Sequence, residues 1–312
     1  MTAARPLLCG VELGGSKCVC LLGADPEDIR ARIALPSSTD ADETLRQIAE
    51  VLRGWKETYG PFGAIGLASF GPLDLRAGSR SFGHIVSTVK PGWDGVDVVG
   101  RLGRIHGVPV GFNTDVNGAA LAEGRWGSAR NLADFAYVTV GTGVGVGLVV
   151  GGQPVFGCNH CELGHVRIAR WPGDLWPGIC RFHGDCVEGL ASGPAIAARA
   201  GSLAKDIPDD SPVWELAAHA LAQLFHTMVL ATAPRRILVG GGVVQARPQI
   251  LGYVRRLLIE SLNGYLDLEE LSGGIDRYVV PPGLGALAGP LGALALAADA
   301  HAMSRAARAT VV

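Results

Sequence analysis

The chain has 312 residues, 48% of them apolar, and a formal net charge of -2. That length predicts about two domains, and that composition a large buried core. Acids and bases are mixed along the chain, so there is no basic footprint for nucleic acid and no basic helix for a membrane surface. Two uncharged stretches invite comparison with a membrane span. Phe135–Val155 carries six glycines between 141 and 152, and Tyr278–Ala298 carries three prolines. Either would make a poor lipid-exposed helix. Met1–Leu8 is too short an apolar stretch for a signal peptide. Seven cysteines, an odd number without a leader, point to a reducing, cytoplasmic compartment. Cys9, Cys18 and Cys20 sit in apolar runs and read as packing residues.

In chain order, Pro6–Gly23 predicts two strands joined at Gly14-Gly15. Leu45, Ile48, Ala49, Leu52 and Trp55 recur at helical spacing and predict a helix over 40–59. Ala64–Phe70 is a short apolar strand ending at Gly71-Pro72. Val108–Phe112 is another, followed by a helix from about Val116 to Trp126. Phe135–Val150 predicts a second glycine-turned hairpin. Ser211 with Pro212 opens a helix that stops before Pro234. Ile237–Val239 is a buried strand that breaks at Gly240-Gly241-Gly242. A helix from Pro248, a strand over Tyr278–Val280 and an alanine-rich helix complete the chain. The alternation is α/β. The repeated strand–glycine turn–strand unit predicts two related halves facing a cleft. The expected boundary is near Asp115: a smaller domain over 1–115, a larger one over 116–297, and a C-terminal helix of about 298–312 packing back on the first.

Glycine is abundant at 45 residues, and its clusters suit close backbone approach to a phosphate. In Gly14-Gly15-Ser16-Lys17 a hydroxyl and a cation follow the glycines. The order is wrong for a Walker loop, and a strand rather than a helix follows. Gly141-Thr142-Gly143 is a second such turn, and Gly240-Gly241-Gly242-Val243-Val244 a third, flat enough to lie under a nucleotide. Each alone also reads as an ordinary turn; together they predict a nucleotide cleft. Asp115, between strand and helix, reads either as a helix N-cap or as a general base for phosphoryl transfer to an alcohol.

His165, Cys180, His183 and Cys186 offer two thiolates and two imidazoles, with the last three at x2 spacing. That set suits a closed, structural tetrahedral Zn²⁺ site. Cys158, His160 and Cys161 form a competing cluster without an obvious fourth ligand.

These pieces together resemble the ROK (repressor, open reading frame, kinase) sugar kinases, and within them the bacterial fructokinases. The resemblance is carried by Val11–Lys17, by Lys90-Pro91-Gly92-Trp93 with Asp97–Gly100, and by Phe112–Leu121. It continues through Gly141-Thr142-Gly143, Glu162-Leu163-Gly164-His165, and Cys180–Cys186 with Val187–Pro194. It implies a two-domain hexokinase/actin-like (ribonuclease H-like) fold with a central cleft and a zinc-held loop. It implies ATP-dependent phosphorylation of a hexose, D-fructose to fructose 6-phosphate first, with mannose, glucose or N-acetylmannosamine as alternatives. Asp115 becomes the general base, and Asn113, Glu162, His165 and Glu188 line the sugar pocket. Gly14, Gly15, Ser16, Lys17, Thr142 and Gly143 meet ATP phosphates, and Gly240–Val244 the adenosine side. Mg²⁺ would bridge the phosphates. A homodimer is the family expectation. Asn113 and Cys161 depart from the family pattern, which has Asp and often Pro there. A repressor of the same family would need a DNA-binding module before Glu12, where only some ten residues stand. A non-catalytic sugar-binding protein would not need Asp115 and both phosphate turns.

Overall fold

The computed structural model describes residues 5–266 and 269–309. The chain divides into two compact units. The first holds Met1–Arg130, Phe156–His160 and Leu287–Val312; the second holds Asn131–Val155 and Cys161–Ala286.

The first unit is built on strands β1 (Leu8–Leu13), β2 (Lys17–Gly23), β3 (Ile29–Pro36), β4 (Ala64–Ser69) and β5 (Val110–Thr114). Their spatial order is β3-β2-β1-β4-β5. β1, β2 and β3 form an antiparallel meander, while β4 and β5 run parallel to β1. The second unit repeats this plan with β6 (Phe135–Val140), β7 (Val144–Val150), β8 (Gln153–Pro154), β9 (Ile237–Gly240) and β10 (Val279–Val280), in the order β10-β9-β6-β7-β8. Again three strands are antiparallel and two run parallel to the first of them. The two related halves expected from the repeated hairpin are therefore present as two sheets of one topology. The first glycine turn joins β1 to β2, and the second joins β6 to β7. β3 went unpredicted, although Ile29, Ala31, Ile33 and Leu35 alternate with polar or small residues as a strand requires.

Helix α1 (Ala41–Tyr59) starts at Asp40, whose carboxylate accepts from Glu43 N–H at 3.0 Å. Its apolar stripe packs on the Cys9, Val11, Leu13, Ile65 and Leu67 side of the first sheet. α2 (Val98–His106) is capped by Asp97, and α3 (Asp115–Trp126) follows β5 directly. In the second unit α4 (Val187–Ala191) and α5 (Gly193–Ala200) precede the long α6 (Pro212–Thr232). After these come α7 (Gly242–Ala246), α8 (Ile250–Leu262), α9 (Glu269–Ser272) and α10 (Ile275–Tyr278). Trp214, Phe225, Val254 and Leu258 anchor that core.

The last helix, α11 (Ala288–Ala309), covers the opposite face of the first sheet. It can lie there only because three strands present glycine to it. A Cβ built on Gly66 would stand 1.8 Å from Ala293 O, one on Gly111 2.2 Å from Leu296 O, and one on Gly10 2.7 Å from Leu294 N. A Cβ on Gly292 would likewise stand 2.2 Å from the carbonyl carbon of Gly118 in α3. This explains two departures from the expected boundaries. α3 belongs with the first unit, because α11 packs on it. The returning helix is also longer than 298–312, beginning at Ala288. Gly285–Ala309 is the one stretch among the described residues long and apolar enough to cross a membrane, and half of its apolar window is buried against the first unit. The other uncharged stretch is the β6–β7 hairpin.

Gly66→Ala should therefore destabilise by about 3 kcal/mol or more, since a buried methyl would meet backbone that cannot give way cheaply. Gly54→Ala, on the exposed face of α1 with open space at its Cβ, should instead stabilise by about 1 kcal/mol. Paired urea titrations of the two variants check both signs.

Candidate active site

Register places the ends of the parallel strands side by side. Leu13 lies opposite Ser69, and Ser69 opposite Thr114. Glu12 and Asp115 thus stand at the same edge of the first sheet, where β1 turns and β5 becomes α3. Thr114, not Asp115, is the N-cap of α3, its Oγ1 accepting from Asn117 N–H at 3.1 Å. Asn113 Oδ1 accepts from Thr114 N–H and from Asn117 Nδ2, both at 2.8 Å. Thr114 therefore carries the N-cap bond, and Asp115 stands at the first helical position. Asp115 Oδ1 accepts from Val116 N–H at 2.9 Å. Burial raises its pKa to about 6, against the pull of the backbone N–H groups it faces. Asn113, expected to touch the sugar, has its oxygen engaged internally. An Asp there could accept the same two bonds, so the departure changes charge rather than local geometry.

Glu12 was not among the expected site residues. It sits where a Cβ on Gly289, at the start of α11, would fall 1.8 Å from its Oε1. Burial, and then the charge of Asp115, push its pKa up to about 7, against Lys17 and Arg32. Two carboxyls this close in a buried corner disfavour double ionisation, so an ionised Asp115 helps keep Glu12 protonated. A glutamate inside an otherwise apolar strand was the available signal.

The first glycine turn is closed by Gly14 N–H donating to Lys17 O at 3.0 Å. The side chains of Ser16 and Lys17 are exposed. In the second unit, Gly141 N–H donates to Gly143 O at 2.9 Å, and Thr142 is exposed at the tip. Three elements brace this turn. Gly193 N–H donates to Gly141 O at 2.8 Å, and Glu188 Oε2 accepts from Val144 N–H at 3.1 Å. Gly164 lies so close that a Cβ would be 1.8 Å from Val144 O. Glu162, which is exposed, precedes that glycine, and its carbonyl accepts from His165 N–H at 3.0 Å. Glu162, His165 and Glu188, expected as sugar ligands, therefore gather around the second turn. At the third cluster, Gly241 takes φ +94° against the Val140 backbone. Gly240, Gly242 and Val243 stand with it at the β9–α7 junction, but the Val244 side chain is buried in the core. Any nucleotide contact at Val244 would be through its backbone.

The His165, Cys180, His183 and Cys186 ligand atoms all lie within 4.8 Å of one another. Cys180 Sγ is 3.6 Å from Nδ1 of both histidines, and Cys186 Sγ is 3.5 Å from His165 Nδ1. A tetrahedron with Zn–N near 2.0–2.1 Å and Zn–S near 2.3 Å has N–S edges of about 3.6 Å. The donor set and spacing thus fit zinc. His165 Nε2 faces Glu188 Oε1 at 3.9 Å, so one carboxylate touches both the cluster and the second turn. The loop has another clamp that the sequence did not disclose. Arg199 forks onto Asp174, and Arg170 joins Asp174 to Asp185 and to Trp176 O. These guanidinium contacts hold the Asp174 carboxyl well below the usual carboxylate range. The competing cluster fails as a metal site at His160, whose Nε2 accepts from Leu73 N–H at 2.9 Å. Among the described residues no further group of three such ligands occurs.

Residues 8–300 match the ROK family, and the chain belongs to it. It is 42% identical over 261 residues to a putative fructokinase of Bacillus subtilis, covering 84% of this chain and 85% of that one. It is 39% identical to a fructokinase of Pediococcus pentosaceus, covering 83% and 88%. Its fold superposes on the ROK hexokinase of Thermus thermophilus with a TM-score of 0.72 at 28% identity, covering 94% and 98%. The architecture is therefore that of the hexokinase/actin-like sugar kinases.

Because burial raises the Asp115 pKa, ionised Asp115 costs stability above pH 6, and the cost fades as pH falls through about 6 toward 3.8. Asp115→Asn should melt roughly 2 °C or more above wild type at pH 8, with the gain narrowing at pH 5. Scanning calorimetry of the ligand-free proteins would show it. An unchanged difference across that range would contradict the assignment.

Proposed function

We propose that this protein is an ATP-dependent hexose kinase whose substrate is D-fructose and whose product is fructose 6-phosphate. The observation that carries the reading is the 35–42% identity to proteins named as fructokinases across more than four-fifths of the chain. The local geometry supports it: Thr114 rather than Asp115 is the N-cap of α3, and burial raises the Asp115 pKa to about 6. It accepts the proton of the sugar hydroxyl as that oxygen bonds to the γ-phosphorus and ADP leaves with the electrons of the broken P–O bond. Glu162, His165 and Glu188 orient the sugar through its hydroxyls. Ser16, Lys17, Thr142 and the N–H groups of Gly14, Gly15 and Gly143 hold phosphate oxygens. Gly240–Val244 support the adenosine. Mg²⁺, when bound with ATP, neutralises the phosphate charge.

His165, Cys180, His183 and Cys186 hold a structural Zn²⁺ that fixes the loop between Glu162 and Glu188. We place the enzyme in the cytoplasm as a homodimer. The exposed Leu175 and Phe182 of the zinc loop, at 93% and 61%, favour such pairing, and light scattering would test it.

A coupled ADP-release assay over fructose, mannose, glucose and N-acetylmannosamine should give the highest kcat/KM on fructose. No turnover on any of them refutes the kinase reading. Asp115→Asn should lower kcat by about 10²–10⁴ while fructose binding persists. For wild type, kcat/KM should fall tenfold per unit below the Asp115 pKa of about 6. Metal analysis should find about one zinc per chain, lost in Cys186→Ser. Zinc-free, fully active protein would exclude the metal.

A further inference from the structure

Lys90 is buried in part and has no place in the chemistry above. Its ammonium donates to Gly15 O at 2.8 Å, to Ser37 O at 3.3 Å and to Ser37 Oγ. It also stands 4.9 Å from the ring centres of both Phe70 and Trp93. Trp93 is fully buried and donates from Nε1 to Ser38 O at 2.8 Å. Ser37 N–H in turn donates to Ser16 O at 3.1 Å. A lysine has three N–H donors, and all three are used inside the protein. Burial lowers its pKa, as expected where carbonyls and ring faces replace water.

The consequence lies in the Gly15–Ser16 peptide. In a trans peptide the C=O and the following N–H point in opposite directions. An ammonium that holds Gly15 O toward the protein therefore turns Ser16 N–H away from it, on the exposed side of the turn. A glycine peptide is otherwise free to flip. We propose that Lys90 is a positioning residue that locks the Gly15–Ser16 peptide in its phosphate-accepting orientation, with the Phe70–Trp93 cage fixing its ammonium. Lys90 acts on the nucleotide through this peptide and not by touching phosphate. The inference rests on the reading of residues 14–17 as a phosphate loop.

Lys90→Met keeps the stem between the rings and removes the donors. ATP and fructose affinities would be measured by calorimetry for wild type and Lys90→Met, with amide NMR of the unliganded proteins at Gly15 and Ser16. The expected result is a loss of ATP affinity of about 10- to 100-fold, fructose affinity within twofold, and shifted Gly15 and Ser16 amides before any nucleotide is added. Lys90→Arg, which retains a cation on the same carbonyl, should recover part of the ATP affinity. ATP affinity unchanged in folded Lys90→Met overturns the proposal. Lost affinity with unshifted amides also overturns it, because that pattern marks direct phosphate contact. If wild type binds no ATP at all, it is the phosphate-loop reading that fails.

Discussion

The backbone-to-backbone approach of α11 to the first sheet is the constraint on which the Glu12–Asp115 corner depends. Strands that buried a helix through ordinary side chains would hold it several ångströms further away. Here Gly10, Gly66 and Gly111 remove that spacing, and Gly292 does the same against α3. The helix start then reaches the end of β1, where Gly289 presses on the Glu12 carboxylate. The carboxylate loses water at that point and holds its proton near neutrality. The raised pKa of Glu12 is thus a result of packing at glycines far along the chain, together with the charge of Asp115.

The second unit uses the same sheet plan for a different purpose. Its glycine turn occupies the position of the first, between the two leading antiparallel strands. In the first unit the turn is steadied by a lysine; in the second a carboxylate, Glu188, takes the turn's own N–H. Glu188 follows Cys186 by two residues, so whatever orders the Cys/His loop also sets the second turn. The Asp174–Arg170–Arg199 network adds a clamp made of ion pairs around a nearly buried carboxylate. Such a network contributes geometry more than net stability, since its charges must first be desolvated.

Much of this was legible in the residues. Helical spacing in α1, apolar runs bounded by glycine, and Pro212 at the start of α6 are local signals, and local signals survive in one dimension. The Cys/His cluster was legible for the same reason: three of its four residues lie within seven positions. Asp115 was legible only as a choice between cap and base. The alternation of β3 was present but weak, because an edge strand exposes much of its length. Lys90, Asp174 and the pairing of Glu12 with Asp115 were invisible, since each depends on partners that the chain brings from elsewhere.

The sequence by itself determined the α/β alternation, the two glycine-turned hairpins, the Cys/His ligand set and the candidate base, because each is written in spacing along the chain. Only the tertiary structure decided that Thr114 rather than Asp115 takes the N-cap, that His160 is spent on Leu73, and that α3 and all of α11 belong to the first unit. It alone decided that Lys90 reaches Gly15 across 75 residues. The physical reason is common to all four: burial, and the requirement that every buried donor and acceptor find a partner, are properties of neighbours in space.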